Sequence, residues 1–96
     1  MIIIIDIDET ICRSPDKDYA NAVPIQENID KANKLYDEGH TIIYWTARGS
    51  GSGLDWTELT KQQIKEWGAK CHEVKLGKPS YDLFIDDKAL NTLDWK

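Results

Sequence analysis

The stretch IIIIDIDET, residues 2–10, decides how the rest of the chain is read. Its isoleucine run shows no alternation of apolar and polar residues, which predicts a strand buried on both faces at the centre of a parallel sheet. Asp6 and Asp8 follow at its carboxyl end, where open α/β sheets place their ligands. Two like charges about 4 Å apart repel by roughly 4 kcal/mol at an effective dielectric near 20. Some cationic group has to offset that repulsion.

Working outward, residues 11–23 (ICRSPDKDYANAV) have no period and read as a loop or flap over the sheet end. Pro24 suits a helical first turn, and Ile25, Ile29, Ala32 and Leu35 or Tyr36 recur at helical spacing until Gly39. Residues 41–45 (TIIYW) predict a second strand, running into Thr46-Ala47-Arg48 and the loop GSGSG at 49–53. Asp55 with Glu58 resembles a capping box, so a helix follows with Leu59, Ile64 and Trp67 on one face, closed by Gly68. A weaker third strand at 70–74 reads as a sheet edge. A fourth at 82–85 leads into Asp86-Asp87, and a short helix covers 89–95. Strands alternating with helices imply a single α/β domain over residues 1–96, with a parallel sheet of right-handed crossovers.

Composition narrows the function classes. A net charge of -5 argues against a basic nucleic-acid-binding face, since phosphate backbones are met by lysine and arginine stripes. Cys12 and Cys71 form neither a CxxC nor a ligand cluster, which predicts two reduced thiols and a cytoplasmic protein. The first apolar run is only four residues long before an aspartate, and no later run reaches membrane-spanning length, so neither a signal peptide nor a membrane segment is expected.

On this layout the first strand ends in Asp6 and Asp8, the second in Thr46, and the fourth in Asp86 and Asp87, with Lys78 just before it. Carboxylates, a hydroxyl and an ammonium on one sheet edge suit a hard divalent cation and a phosphoryl group, because magnesium takes oxygen ligands and phosphate.

DIDET, WTAR (45–48), GKPSYD (77–82) and FIDD (84–87), in that order, resemble the four motifs of the haloacid dehalogenase superfamily of phosphotransferases. The likeness runs from Ile2 to Lys88. More narrowly, it is similar to small capless phosphatases of capsular polysaccharide biosynthesis. The resemblance implies a three-layer Rossmann-like fold with four parallel strands in the order 4-1-2-3 and no cap domain, since residues 10–24 are too few for one. It also implies magnesium-dependent hydrolysis of a phosphate monoester, such as a phosphosugar, through an aspartyl-phosphate. Asp6 would be the nucleophile and Asp8 the general acid and then base, with a pKa raised by its neighbours. Thr46, Ala47, Arg48 and Lys78 would contact the substrate, Thr46 donating to a phosphoryl oxygen and Lys78 balancing charge. Asp6, the backbone carbonyl of Asp8, and Asp87 would hold the magnesium ion, with Asp86 behind them.

Other readings stay open at this point. Arg48 suits a substrate contact or an exposed surface equally, and so does Arg13. Trp56, beside the glycine-rich loop, reads as packing or as a platform for a sugar or base. An end phosphatase for nucleic acid and a metal-binding or phosphate-binding module without turnover are the alternatives to a metabolite phosphatase. An open sheet edge and an uncapped site would both be covered in a homodimer.

Overall fold

The isoleucine run does form a strand. In the structure, a computed structural model describing residues Met1–Lys96, the elements in chain order are β1 (Ile2–Asp6), β2 (Cys12–Arg13), β3 (Val23–Pro24), α1 (Gln26–Asp37), β4 (Thr41–Trp45), α2 (Thr57–Glu66) and β5 (Glu73–Lys75). β1 and β5 flank β4 in a three-stranded parallel sheet, and β2 pairs with β3 in a separate antiparallel ribbon. The register sets Asp6 opposite Trp45 and Trp45 opposite Lys75, so all three strands end at one level.

β4 occupies the predicted residues, because an apolar run rich in β-branched side chains belongs at the sheet centre. Ile42 and Tyr44 are fully buried there. They meet Ile5, Ile7, Ile11, Ile29 and Ile64 in one core cluster, where full burial of each such side chain stabilises by about 1.5–3 kcal/mol. α1 ends two residues before Gly39, whose φ of +95° is the left-handed conformation that glycine adopts without strain. Pro24 lies in β3 rather than in the first turn of α1. Residues 11–23 are a structured flap, since the β2–β3 ribbon and two short 3₁₀ turns span them.

Three expectations are corrected. β1 is not central: it pairs only with β4, and Ile2 and Ile4 are 73% and 58% exposed. The four-stranded Rossmann-like sheet in the order 4-1-2-3 does not form, because residues 82–85 are irregular and exposed. The final helix is reduced to a 3₁₀ turn at Thr92–Asp94. Charge supplies a reason for the missing strand. Pairing it with β1 would bring Asp86 and Asp87 toward Asp6 and Asp8, whose countercharges Lys78 and Arg48 are already engaged, and like charges at about 4 Å repel by roughly 4 kcal/mol at an effective dielectric near 20. No helix is long and apolar enough to cross a membrane.

Two outcomes follow for the fold itself. The Tyr44 hydroxyl is buried without a hydrogen-bond partner, and such an orphan costs about 1–3 kcal/mol. Tyr44→Phe should therefore leave stability unchanged or raise it by about 1 kcal/mol, read from the urea midpoint at constant slope; a loss of stability would mean the hydroxyl has a partner. No backbone-to-backbone hydrogen bond involves residues 79–90. Their amides should exchange with deuterium far faster than those of β4, and equal protection of the two segments would contradict this arrangement.

Candidate active site

The turn after β1 builds the site. Ile7 and Ile11 are fully buried, and the amides of Thr10 and Ile11 both donate to the Ile7 carbonyl, at 3.1 and 2.9 Å. Glu9 takes a φ of +63°, a left-handed conformation that a side chain of this length rarely adopts, and its amide donates to the Cys12 carbonyl at 2.7 Å. With Ile7 fixed in the core, Asp6 and Asp8 both face a cavity of about 630 Å³ at the strand ends. Ser14 and Tyr19 of the flap, Thr46 after β4, and Trp56 before α2 also line it.

Asp8 is clamped. Arg48 Nε donates to its Oδ2 at 3.0 Å and Arg48 Nη2 to its Oδ1 at 2.9 Å. Ser14 Oγ donates to Oδ1 at 2.5 Å and Thr46 Oγ1 to Oδ2 at 3.4 Å. Burial pushes the Asp8 pKa up, but the hydrogen bonds from Arg48 and Ser14 and the charge of Arg48 outweigh it and hold the carboxyl below its usual range. The neighbours of Asp8 thus lower its pKa rather than raise it, opposite to the sequence expectation.

Arg48 lines the cavity and is not an exposed surface residue. Its side chain is fully buried, and Nη1 donates to Thr60 Oγ1 at 3.2 Å and to Gln63 Oε1 at 2.6 Å. The Tyr19 ring lies over its guanidinium at 4.8 Å. Gln63 Nε2 then donates to the Tyr19 carbonyl at 2.6 Å, tying the flap to α2. Of the predicted face of α2, Ile64 is buried and Trp67 packs against the core, while Thr60 and Gln63 are buried beside Ile64 where Leu59 was expected. Sequence reasoning missed Ser14, Tyr19, Thr60 and Gln63. The available signal was a threonine and a glutamine three residues apart, on the same side of the helix as the apolar Ile64.

Asp6 is placed differently. Lys78 Nζ stands 3.5 Å from its Oδ2, and the Ile7 amide donates to its Oδ1 at 2.9 Å. Burial raises its pKa, and the Lys78 ammonium opposes that rise. Lys78 is aligned through its own backbone, its amide donating to the Thr46 carbonyl at 3.1 Å. Thr46 is fully buried, with its hydroxyl given to Asp8 and accepting from the Arg48 amide at 3.2 Å. Ala47 lines the cavity beside it. Arg13 is exposed and pairs with Glu9 at 3.4 Å.

Asp86 and Asp87 are not brought to the site. Both are exposed and absent from the cavity lining, and Asp86 Oδ1 accepts from the Lys88 amide at 2.8 Å. No three carboxylate, histidine or cysteine side chains gather anywhere as a ligand set. Of the residues assigned to magnesium, Asp6 and Asp8 stand at the cavity and Asp86 and Asp87 do not, so the set of Asp6, the Asp8 backbone carbonyl and Asp87 is not brought together.

The Asp8 clamp sets a pH-dependent outcome. Because the folded-state pKa of Asp8 is lowered, the stability it contributes is complete above its unfolded value of 3.8 and is lost as pH falls through the folded value. Arg48→Met, which strands a largely buried carboxylate, should cost about 3 kcal/mol at pH 7. The gap from the wild type should be narrower at an acid pH below 3.8, because Asp8 takes up a proton as pH falls through its lowered folded value. Denaturant unfolding at both pH values checks this, and an identical gap at both would show that the pair is not what Arg48 supplies.

No family model and no curated protein matches this chain. Among solved structures, it is similar to the crystal structure of an MCSG target from Vibrio cholerae, with a TM-score of 0.85 and 22% identity over 97% of this chain and 85% of that one. At that identity the likeness concerns the fold alone.

Proposed function

We propose that this protein hydrolyses a phosphate monoester, with Asp6 as the nucleophile. One observation carries the reading: a partly exposed carboxylate at the floor of a cavity has an ammonium 3.5 Å away and, two residues on, a second carboxylate locked by an arginine. A carboxylate that attacks phosphorus splits one difficult displacement into two easier ones. The motif likeness at residues 6–10, 45–48 and 77–82 supports the same assignment.

In the first step an Asp6 oxygen forms a bond to phosphorus while the ester P–O bond breaks, and the alcohol leaves with a proton. Asp8 can supply that proton once substrate is bound, since an arriving phosphate dianion adds like charge and raises its pKa. In the second step Asp8, again ionised, removes a proton from the water that attacks the aspartyl-phosphate. Lys78 favours the ionised, attacking form of Asp6 and lies close enough to pair with a phosphoryl oxygen. Each of these roles is one that a side chain of the protein fills. A small phosphosugar suits a cavity of about 630 Å³ better than a nucleic-acid end does, given the net charge of -5.

The test is phosphate release from hexose phosphates, glycerol phosphate and an aryl phosphate, with magnesium present, by wild type and Asp6→Asn. Wild-type turnover and a drop of about a thousandfold or more in the variant are expected. Acid quench during turnover should trap a hydroxylamine-sensitive acyl phosphate on Asp6. Equal release by the two proteins would falsify the assignment of the nucleophile.

A further inference from the structure

Apart from Ala47 near its floor, the apolar lining of the cavity is gathered at Tyr19, Leu54 and Trp56. The Tyr19 and Trp56 rings meet edge to face with centroids 5.2 Å apart, a preferred aromatic geometry. Glu9, Ser52 and Ser80 supply oxygens elsewhere on the lining, and Asp6 lies at its floor. The cavity therefore has a carboxylate-bearing floor, an aromatic wall and a hydroxyl-bearing rim. Its volume, about 630 Å³, falls in the range that encloses a whole metabolite rather than one phosphate group.

The wall is built into the fold. Trp56 is the residue at which α2 begins, its carbonyl accepting from the Thr60 amide at 2.9 Å. The loop before it closes on itself, with the Gly53 amide donating to the Gly49 carbonyl at 2.8 Å. Gly49 takes a φ of +82°, and a Cβ there would come within 2.2 Å of the Leu54 carbonyl oxygen and 3.2 Å of Trp56 Cδ1. Only glycine lets the loop lie this close against the tryptophan. Tyr19 is fixed in turn by the Arg48 guanidinium over its ring and by Gln63 on its carbonyl.

We propose that Trp56, with Tyr19 and Leu54 beside it, selects phosphate esters of cyclic sugars by stacking on the apolar C–H face of the ring while the rim oxygens meet its hydroxyls. This rests on the phosphate-ester reading above and adds what is recognised beyond the phosphate. A ring with one apolar face and a polar edge matches a wall and rim of this kind, whereas an open-chain polyol presents no flat face and loses more torsional freedom on binding.

Calorimetric titration tests the idea without turnover, on Asp6→Asn as well as wild type. The ligands are glucose 6-phosphate, sorbitol 6-phosphate and inorganic phosphate. The wild type should bind the ring ester about tenfold more tightly than the open chain. Trp56→Ala should erase that ratio, Trp56→Phe should keep most of it, and the affinity for inorganic phosphate should change by less than twofold. No ring preference in the wild type, an equal loss for all three ligands, or tighter binding of a nucleoside monophosphate than of the sugar ester would each overturn the proposal. Should Trp56→Ala not fold, the wild-type ratio and Trp56→Phe still decide. A ring preference with no phosphate release from any ester would sink the hydrolase reading and leave this one standing.

Discussion

The contact on which this structure most depends is the buried pair between Asp8 and Arg48. A guanidinium with a fully buried side chain is tolerable only when its donors are satisfied, and here carboxylate, hydroxyl and amide oxygens take them up. Those partners come from the turn after β1 and from α2, while Arg48 follows β4. One ion pair thus fixes how three segments distant in sequence meet at the sheet end. Its planar fork is suited to that work, because lysine would present a single point charge to Asp8 and leave Gln63 and Thr60 unmatched.

Much of the fold could be read from the chain. β4 was legible because an apolar run with β-branched residues has few other uses, and the edge position of β5 followed from its weaker pattern. β1 was legible as a strand but not as an edge. Four isoleucines carry no information about which neighbour will arrive, and the neighbour expected from residues 82–85 does not. Leu83 and Ile85 stay 75% and 89% exposed. A hydrophobic pattern reports what a segment gains by pairing, whereas the charges at its end report what pairing costs, and here Asp86 and Asp87 stand against Asp6 and Asp8.

The site was legible in the same uneven way. Asp6, Asp8, Thr46 and Lys78 do meet, because strand ends in a parallel sheet share a level that spacing in the sequence can locate. The partners of Asp8 could not be located so, since they depend on how α2 is rotated. Leu59, Ile64 and Trp67 suggested one face, and Ile64 is buried with Trp67 packed against the core, but Thr60 and Gln63 are buried beside Ile64 where they present hydrogen-bond acceptors to Arg48. Polar residues at positions that ought to be apolar were the trace of the site that the sequence did contain.

Two carboxylates separated by one residue are driven apart in their proton affinities by surroundings the fold imposes. Desolvation is the largest influence on both: at Asp6 it prevails and raises the pKa, while at Asp8 the hydrogen bonds from Arg48 and Ser14 and the charge of Arg48 together outweigh it and lower the pKa. That asymmetry divides the labour. Asp6 has only the Ile7 amide and the Lys78 ammonium as partners, whereas Asp8 is held by Arg48, Ser14, Thr46 and Cys12. A nucleophile has to move toward its electrophile, which a side chain clamped by four residues cannot do without breaking its clamp. Under the phosphate-ester reading proposed above, the looser Asp6 suits attack and the clamped Asp8 suits a fixed position beside it.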